Sequence, residues 1–275
     1  MMAGSGYRPG TVGRTAEGWR GNDIMTRFDD RKRPPIDVIQ IGLGTIGRAI
    51  TQALACKQGV RIVGAADANP ELAGRDLAAV TDLAAPLGVK VTADIRDLFE
   101  AAAADVVLHA ACTELHEAFP ELAMAAEHGV DVISATEALG NPYVSDPGLA
   151  ARIEKLAEAN RVTILGTGLS PGFTSDYLIL AVTAGLAEVG RITYLRTADV
   201  RPYLGGTVAE HFGLGLSADE FARRFAAGEV IGHIGFVESA RMIADRLGWK
   251  LESVERCQRR SKNAPLGRSK TTPLT

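Results

Sequence analysis

A glycine-rich segment near residue 42 has the spacing that binds phosphate. Gly42–Gly47 has the pattern G-x-G-x-x-G and lies between the apolar run IDVIQI and the periodic stretch TIGRAITQALAC. In that context the first glycine permits a tight turn, the second lets a pyrophosphate approach the backbone, and the third allows close helix–strand packing. Free amide groups at the start of the helix favour phosphate oxygens. The segment predicts a dinucleotide site with contacts from Gly42, Gly44, Thr45, Ile46 and Gly47; the alternative is a glycine-rich turn without a ligand.

An acidic residue follows the next apolar run. Asp67 ends VRIVGAAD, 25 residues after Gly42. A carboxylate at about this distance accepts hydrogen bonds from the adenosine ribose and repels a 2′-phosphate. We therefore predict NAD as the cofactor, with NADP as the alternative because Arg75 is close in sequence. The competing interpretation of Asp67 is a turn residue at a strand end.

Three further segments end apolar runs with residues that could do chemistry. His109 ends DVVLHAA, Glu137 follows VDVISAT, and Phe173 and Thr174 follow RVTILGTG. The carboxyl ends of parallel strands are where ligands bind in open α/β sheets. His109 could line the nicotinamide ribose or be structural, and Glu137 could be a general base or a solvent-facing helix start. Phe173 could wall a substrate pocket, with Thr174 beside it, or lie in the core.

Two other kinds of chemistry lack support. His109, His116 and His128 have no ligand-like spacing with cysteine or carboxylate, so we predict no metal site. A G-x-S-x-G nucleophile motif is absent, which disfavours serine hydrolysis.

The elements that must position these residues alternate regularly from residue 36 to residue 171. Short apolar runs, which indicate buried strands, alternate with stretches of helical spacing. Helices are predicted over residues 45–56, 70–85, 115–129 and 147–160. The pattern predicts an α/β fold with a Rossmann-type doubly wound parallel sheet.

After residue 172 the pattern changes, which predicts a second, α+β domain. We expect a helix over 174–187, a half-exposed strand in RITYLRTADV, helices in SADEFARRFAAG and HIGFVESARMIADRLGW, and a strand in KLESVER. Ser217 and Glu220 have capping-box spacing at the start of the second of these helices. The predicted organisation is a flexible extension (1–34), a dinucleotide-binding domain (35–171), an incomplete substrate domain (172–256) and a basic disordered tail (257–275).

The composition excludes several classes of protein. The chain has 275 residues, 46% of them hydrophobic and 23% charged, with a net charge of −3, which is typical of a globular protein and disfavours a nucleic-acid binder. No apolar run approaches the roughly 18 residues of a membrane span. Three scattered cysteines (Cys56, Cys112 and Cys257) favour a reducing compartment, so we predict a cytoplasmic protein acting on a small molecule.

Four stretches resemble one known group of proteins. They are AADANPELAGRDLAAV, HAACTELHEAFPEL, SATEALGNP and GTGLSPGFTSDYLIL, and GHIGFVESARMIADRLGW is similar as well. Together they resemble the dihydrodipicolinate reductase-like family, in its branch of 2,4-diaminopentanoate dehydrogenase and related NAD(P)-dependent amine dehydrogenases. The resemblance covers residues 36–256 and implies oxidative deamination of an amine or diamine, with Glu137 in the amine chemistry, in a homodimer.

Two departures from the family pattern leave alternatives open. Ala111 and Thr113 stand where the family usually has threonine and serine, and the basic tail after KLESVER replaces the expected continuation, as a frameshift would. A non-catalytic nucleotide-binding remnant is therefore one alternative. A dihydrodipicolinate reductase-like imine reductase is another, although paired histidines and a DAPSGT-like loop are absent. His233 and Glu238 could face the cleft, or could cap and solvate a helix.

Overall fold

The computed structural model describes residues 34–197, 209, 212–232 and 234–255. The predicted extension before residue 34, the predicted tail (257–275) and His233 lie outside the described residues.

Six parallel strands form one sheet in the order β3-β2-β1-β4-β5-β6. The strands are β1 Ile36–Ile41, β2 Val60–Ala66, β3 Val91–Thr92, β4 Val106–His109, β5 Asp131–Ser134 and β6 Ile164–Gly166. The order reverses between β1 and β4, and in such sheets ligands bind at the carboxyl ends beside this reversal. This confirms the predicted α/β fold with a doubly wound parallel sheet.

The strand register brings the predicted functional segments to one edge of the sheet. Ile41 at the end of β1 pairs with Ala66 of β2 and with His109 of β4. His109 pairs in turn with Ser134 of β5, which pairs with Gly166 of β6. The glycine motif, His109, Glu137 and the loop before Phe173 therefore all follow strands at the same edge.

Nine helices are described in the parts of the chain that the structure covers. They are α1 Thr45–Ala55, α2 Leu77–Val80, α3 Ile95–Ala101, α4 Leu115–Glu127, α5 Pro142–Ser145, α6 Pro147–Asn160, α7 Leu178–Thr183, α8 Ala218–Ala226 and α9 Phe236–Leu247. Shorter turns of 3₁₀ helix lie at Pro70–Leu72 and Glu137–Gly140, and a π-helical turn lies at Phe173–Tyr177. None of the described helices has the length and apolar character needed to cross a bilayer.

Apolar residues of the strands and helices pack into two clusters. The larger cluster includes Ile39, Val107 and Val132 of the sheet and Leu122 of α4, all at most 2% exposed. The smaller includes Ala65 of β2 and Leu77 of α2. Strands that are buried on both faces have nearly continuous apolar sequences, which is why the strand runs were recognisable.

The predicted helix over 70–85 is wrong, because the segment is split in two. The 3₁₀ turn Pro70–Leu72 ends before Gly74, whose φ is +78°. The Asp76 side chain then accepts hydrogen bonds from the backbone N–H groups of Ala78 (2.9 Å) and Gly88 (2.9 Å). This carboxylate starts the short α2 and ties it to a later loop, a long-range contact that helical spacing does not reveal.

The elements after residue 172 agree with the prediction only in part. Helices α8 and α9 form as predicted, and Ser217 caps α8 by accepting a hydrogen bond from the Glu220 N–H (3.2 Å). The predicted strands are absent from the described residues 191–197 and 250–255. A strand needs a neighbour to pair with, and none lies beside either segment in the described part of the chain. The predicted helix over 174–187 is shorter, since it forms the π turn and then α7.

Candidate functional site

Two of the three motif glycines are required by the packing of the protein itself. Gly42 has a φ of +83°, and a Cβ atom there would lie 2.5 Å from the carbonyl oxygen of Ala110. A Cβ atom on Gly47 would lie 1.8 Å from the carbonyl oxygen of Gly42. These glycines let β1, β4 and α1 approach one another, so they would be needed with or without a ligand.

The middle glycine has no such explanation in the protein. Gly44 has an ordinary backbone conformation (φ −68°), and a Cβ atom there would have nothing within 4 Å. It is exposed together with Thr45 and Ile46 at the start of α1, and no side chain caps this helix. The first amide groups of a helix have no partner within it. The open surface over Gly44 therefore fits a pyrophosphate, which would occupy the space that a Cβ would fill.

Asp67 lies beside this glycine loop. Its Oδ2 accepts a hydrogen bond from the Leu43 N–H at 2.6 Å, and its Oδ1 accepts one from the Asn69 N–H at 2.8 Å. Each carboxylate oxygen has a further lone pair with which to accept a ribose hydroxyl. The sequence analysis missed that Asp67 also holds the glycine loop, because spacing alone does not show which amide it meets.

His109 lies below the surface of the strand edge. Its ring is 1% exposed, with Nδ1 at 2.9 Å from Ser134 Oγ and Nε2 at 2.8 Å from Glu121 Oε2. Both ring nitrogens are thus committed to protein partners. This arrangement does not support the predicted contact with the nicotinamide ribose, since no polar atom of the ring is free to make it.

Glu137 begins the 3₁₀ turn that follows β5. Its side chain is partly buried. Burial, together with the nearby charges of Glu114 and Glu238, raises the pKa of Glu137 to about 7, against the opposing charge of Arg196. Within the described residues no hydrogen bond holds this carboxylate. A carboxylate whose pKa lies near neutrality, at the ligand-binding edge of the sheet, is suited to general acid–base catalysis.

Helix α9, in the part of the chain after residue 172, packs against the 3₁₀ turn that begins at Glu137. Glu238 Oε1 accepts a hydrogen bond from Ser145 Oγ at 2.9 Å, and its carbonyl oxygen accepts one from Asn141 Nδ2 at 3.5 Å. Glu238 also lies near enough to raise the pKa of Glu137. Helix α9 therefore contributes negative charge to the surroundings of Glu137, as well as the contacts that dock it.

A buried carboxylate fixes the loop between β6 and the π turn. Asp176 is 1% exposed, and its Oδ2 accepts hydrogen bonds from the Gly172 N–H (2.8 Å) and from Ser239 Oγ of α9 (2.9 Å). Gly172 has a φ of +125°, which favours glycine. Asp176 thereby joins the loop that precedes Phe173 to the helix that carries Glu238. The sequence analysis did not single out Asp176, because an aspartate in a helical pattern is usually solvated.

Phe173 and Thr174 follow this fixed loop. Phe173 is 56% exposed, so it is not part of the core. Thr174 Oγ1 donates to the carbonyl oxygen of Leu169 (2.7 Å) and lies 3.0 Å from Tyr194 Oη. Thr174 also lines a groove of about 610 Å³, together with Tyr194 and Arg196 and with apolar residues of α7. Both residues are accessible to a ligand, and the prediction that they bind substrate remains a prediction.

A metal ion would need several ligand side chains grouped in one place. No three histidine, cysteine, aspartate or glutamate side chains among the described residues are grouped so that they could hold an ion.

Comparison with known proteins gives two family matches. Residues 36–165 match the model "Dihydrodipicolinate reductase, N-terminus", and residues 173–264 match "2,4-diaminopentanoate dehydrogenase C-terminal domain". The curated 2,4-diaminopentanoate dehydrogenase of Acetoanaerobium sticklandii is 35% identical over 221 residues, which are 79% of this chain and 62% of that protein.

A solved structure agrees with the fold. The amine dehydrogenase from Mycobacterium smegmatis superposes with a TM-score of 0.67 at 23% identity, over 79% of this chain and 63% of that one. The chain thus spans less than two thirds of the length of either relative. The chain is thus similar to the dihydrodipicolinate reductase-like family over residues 36–165 and to its 2,4-diaminopentanoate dehydrogenase branch over residues 173–264.

Proposed function

We propose that the chain is an NAD(P)-dependent oxidoreductase that acts on the CH–NH₂ group of an amine or diamine. The observation that carries the proposal is the partly buried Glu137, whose pKa is about 7, at the same sheet edge as the open glycine loop. The curated relative named 2,4-diaminopentanoate dehydrogenase supports this class of substrate.

The proposed reaction converts an amine and water into a ketone and ammonium. A bound nicotinamide would supply the hydride acceptor, and loss of a hydride from the amine-bearing carbon would leave an iminium. Glu137, once ionised, would hold the substrate ammonium and accept its proton. After releasing that proton to solvent, the same carboxylate would take a proton from the water that attacks the iminium carbon and pass it to the nitrogen of the carbinolamine. The C–N bond would then break, and the hydroxyl proton would go to the departing ammonia, which gives ammonium and the ketone. Phe173 and Thr174 would form the wall of the substrate pocket that lies next to the loop held by Asp176.

The nucleotide is proposed to be NAD. Gly44, Thr45 and Ile46 leave the start of α1 open for the pyrophosphate, between the packed Gly42 and Gly47. Asp67, beside this loop, would accept the ribose hydroxyls and repel a 2′-phosphate. Arg75 is exposed and eight residues beyond Asp67, so NADP remains the alternative cofactor.

Replacing Asp67 tests the cofactor preference. Asp67→Ser removes the charge that repels a 2′-phosphate, and its short hydroxyl can still accept one hydrogen bond. We expect the ratio of kcat/KM for NAD to kcat/KM for NADP to fall by about tenfold or more, equivalent to about 1.4 kcal/mol. Asp82→Ser, in the loop after α2, is the control. An unchanged ratio in Asp67→Ser would remove Asp67 from cofactor selection.

The test of the function is a reduction assay on the full chain. The protein is incubated with NAD⁺ or NADP⁺ and a panel of monoamines and diamines that includes 2,4-diaminopentanoate, and the near-ultraviolet absorbance of the reduced cofactor is followed. We expect reduction that depends on the amine and releases ammonium. Cofactor binding by calorimetry without any turnover would favour the nucleotide-binding remnant instead. In a second assay that supplies NADH or NADPH, oxidation of the cofactor by a cyclic imine dicarboxylate, without any amine-dependent reaction in the first assay, would favour the reductase.

Assembly and location are part of the same proposal. Leu178 and Val182 of α7 are 42% and 63% exposed and are four residues apart, so they form an apolar stripe on one face of the helix. Such a stripe suits an interface between two copies of the chain, which supports a homodimer. The free thiols of Cys56 and Cys112 suit a reducing cytoplasm.

A further inference from the structure

A chain of buried polar side chains runs beneath the turn that carries Glu137. His109, Ser134 and Thr136 are 1%, 0% and 1% exposed. Glu121 on α4 lies at one end of the chain, with its Oε2 at 2.8 Å from His109 Nε2. At the other end the Thr136 N–H donates to Ser134 Oγ at 3.1 Å, and Ser134 Oγ lies 2.9 Å from His109 Nδ1.

The chemistry of the partners fixes the direction of each hydrogen bond. Nε2 of His109 faces a carboxylate oxygen, which only accepts, so Nε2 carries the proton. In the neutral ring Nδ1 is then an acceptor, and the one hydroxyl proton of Ser134 is donated to it. The oxygen of Ser134 is left to accept the Thr136 N–H. The hydroxyl of Thr136 donates to the carbonyl oxygen of Cys112 at 3.1 Å, and its oxygen also lies 3.4 Å from His109 Nδ1.

These bonds fix the backbone directly before Glu137. Thr136 is the residue from which the 3₁₀ turn departs, and the Leu139 N–H donates to its carbonyl oxygen at 3.0 Å. Glu137 is the first residue of this turn, so the backbone that these bonds hold sets where its side chain departs. A buried polar chain whose members are all satisfied is rigid, and losing one member leaves the others unpaired.

We propose that His109 is a positioning residue, which acts through Ser134 and Thr136 to hold Glu137 at the reacting carbon and does not touch the cofactor. The proposal rests on the proposed function, because it gives Glu137 its task. It also assigns Glu121 the role of fixing the tautomer of His109. Displacing a catalytic group by about 1 Å can cost on the order of 100-fold in rate, so such a chain would matter greatly to turnover.

Two substitutions of His109 test its two hydrogen bonds, to Ser134 and to Glu121, one at a time. In His109→Asn the side-chain amide reaches about as far as Nδ1, so its oxygen can accept the Ser134 hydroxyl while the bond to Glu121 is lost. In His109→Gln the amide reaches about as far as Nε2, so its N–H can meet Glu121 while the Ser134 hydroxyl loses the acceptor of its proton. The two variants are similar in polarity and differ in which bond survives.

We expect His109→Gln to lower kcat for the amine by about 10- to 100-fold, with the Kd for NAD⁺ unchanged, and His109→Asn to recover most of that loss. Equal losses of kcat in both variants, in proportion to their loss of thermal stability, would overturn the proposal in favour of a structural histidine. A weaker Kd for NAD⁺ in both variants would overturn it in favour of a cofactor contact.

A second readout needs no turnover. The carboxyl carbon of Glu137 is followed by ¹³C NMR during a pH titration of glutamate-labelled protein, with its signal assigned by its absence in Glu137→Gln. Burial and the surrounding charges of Glu114, Glu238 and Arg196 set the midpoint, so a displaced Glu137 titrates differently. We expect the midpoint to move in His109→Gln and to stay near the wild-type value in His109→Asn. An unmoved midpoint in both variants overturns the positioning role. If the two variants differ as expected but the wild type turns over no amine, only the proposed function is overturned.

Discussion

Glu137→Gln is expected to lower kcat for amine oxidation by about 10²- to 10⁴-fold, the range lost when a general base is removed. The substitution keeps the size of the side chain, so the turn and the cofactor site should be unaffected. In the wild type the rate should rise with pH through about 7, because burial raises the pKa of Glu137 to that value and only the ionised form accepts a proton. This rise should be absent in the variant.

The same substitution should stabilise the protein at high pH. The pKa of Glu137 lies at about 7 in the folded state, above its usual value of 4.5. Between these values the folded protein keeps a proton that the unfolded chain has lost, so the free energy of unfolding falls as pH rises through this window. Above pH 7 the ionised wild type should be less stable than Glu137→Gln by on the order of 2 kcal/mol, after allowing for solvent screening.

Activity and melting temperature measured from pH 5 to pH 9 check both effects in one set of samples. Glu158→Gln, on the exposed face of α6, is the matched control and should follow the wild type throughout. A residue that is costly to the fold and necessary for turnover is characteristic of an active site. Full activity in Glu137→Gln would remove Glu137 from the mechanism. If the difference in melting temperature between the wild type and Glu137→Gln stays the same from pH 5 to pH 9, the Glu137 carboxylate lies in solvent.

The sequence predicted those parts of the molecule in which a local pattern determines structure. The apolar run before Gly42 and the helical spacing after it identify one strand–turn–helix unit, and repeated units of this kind identify the parallel sheet. Glu137 could be placed at the ligand-binding edge because the end of β5 was recognisable. Its altered pKa could not be predicted, since that depends on its burial in the folded protein and on Glu114 and Glu238, which lie far from it in sequence.

The features that were missed all depend on contacts between distant residues. His109 could have been a ligand or a buried residue until Glu121 and Ser134 were seen on either side of its ring. Asp176 resembles a solvated helical residue until Ser239 of α9 is placed against it. Helical spacing over 70–85 could not reveal that Asp76 would accept hydrogen bonds from a loop that follows the segment.

Substitutions in the glycine motif distinguish effects on folding from effects on ligand binding, because its glycines have different surroundings. Gly47→Ala places a Cβ atom 1.8 Å from the backbone oxygen of Gly42, and backbone cannot move aside without separating α1 from β1. We expect a loss of about 3 kcal/mol or more in the free energy of unfolding, or no folded protein. Gly44→Ala meets nothing within 4 Å at an ordinary φ of −68°, so its free energy of unfolding should change by less than about 1 kcal/mol.

Gly44→Ala should weaken cofactor binding although it changes stability little. The added methyl group of Gly44→Ala would occupy the space assigned to the pyrophosphate, and a clash of about 1–3 kcal/mol weakens the Kd for NAD⁺ by roughly 5- to 150-fold. Calorimetric titration with NAD⁺ and thermal melting of each variant measure the two effects separately. Gly190→Ala, which also meets nothing within 4 Å, is the control and should alter neither. A Gly44→Ala protein that binds NAD⁺ as the wild type does would mean that the open surface over α1 is not the phosphate site, because a pyrophosphate bound there would meet the added methyl group.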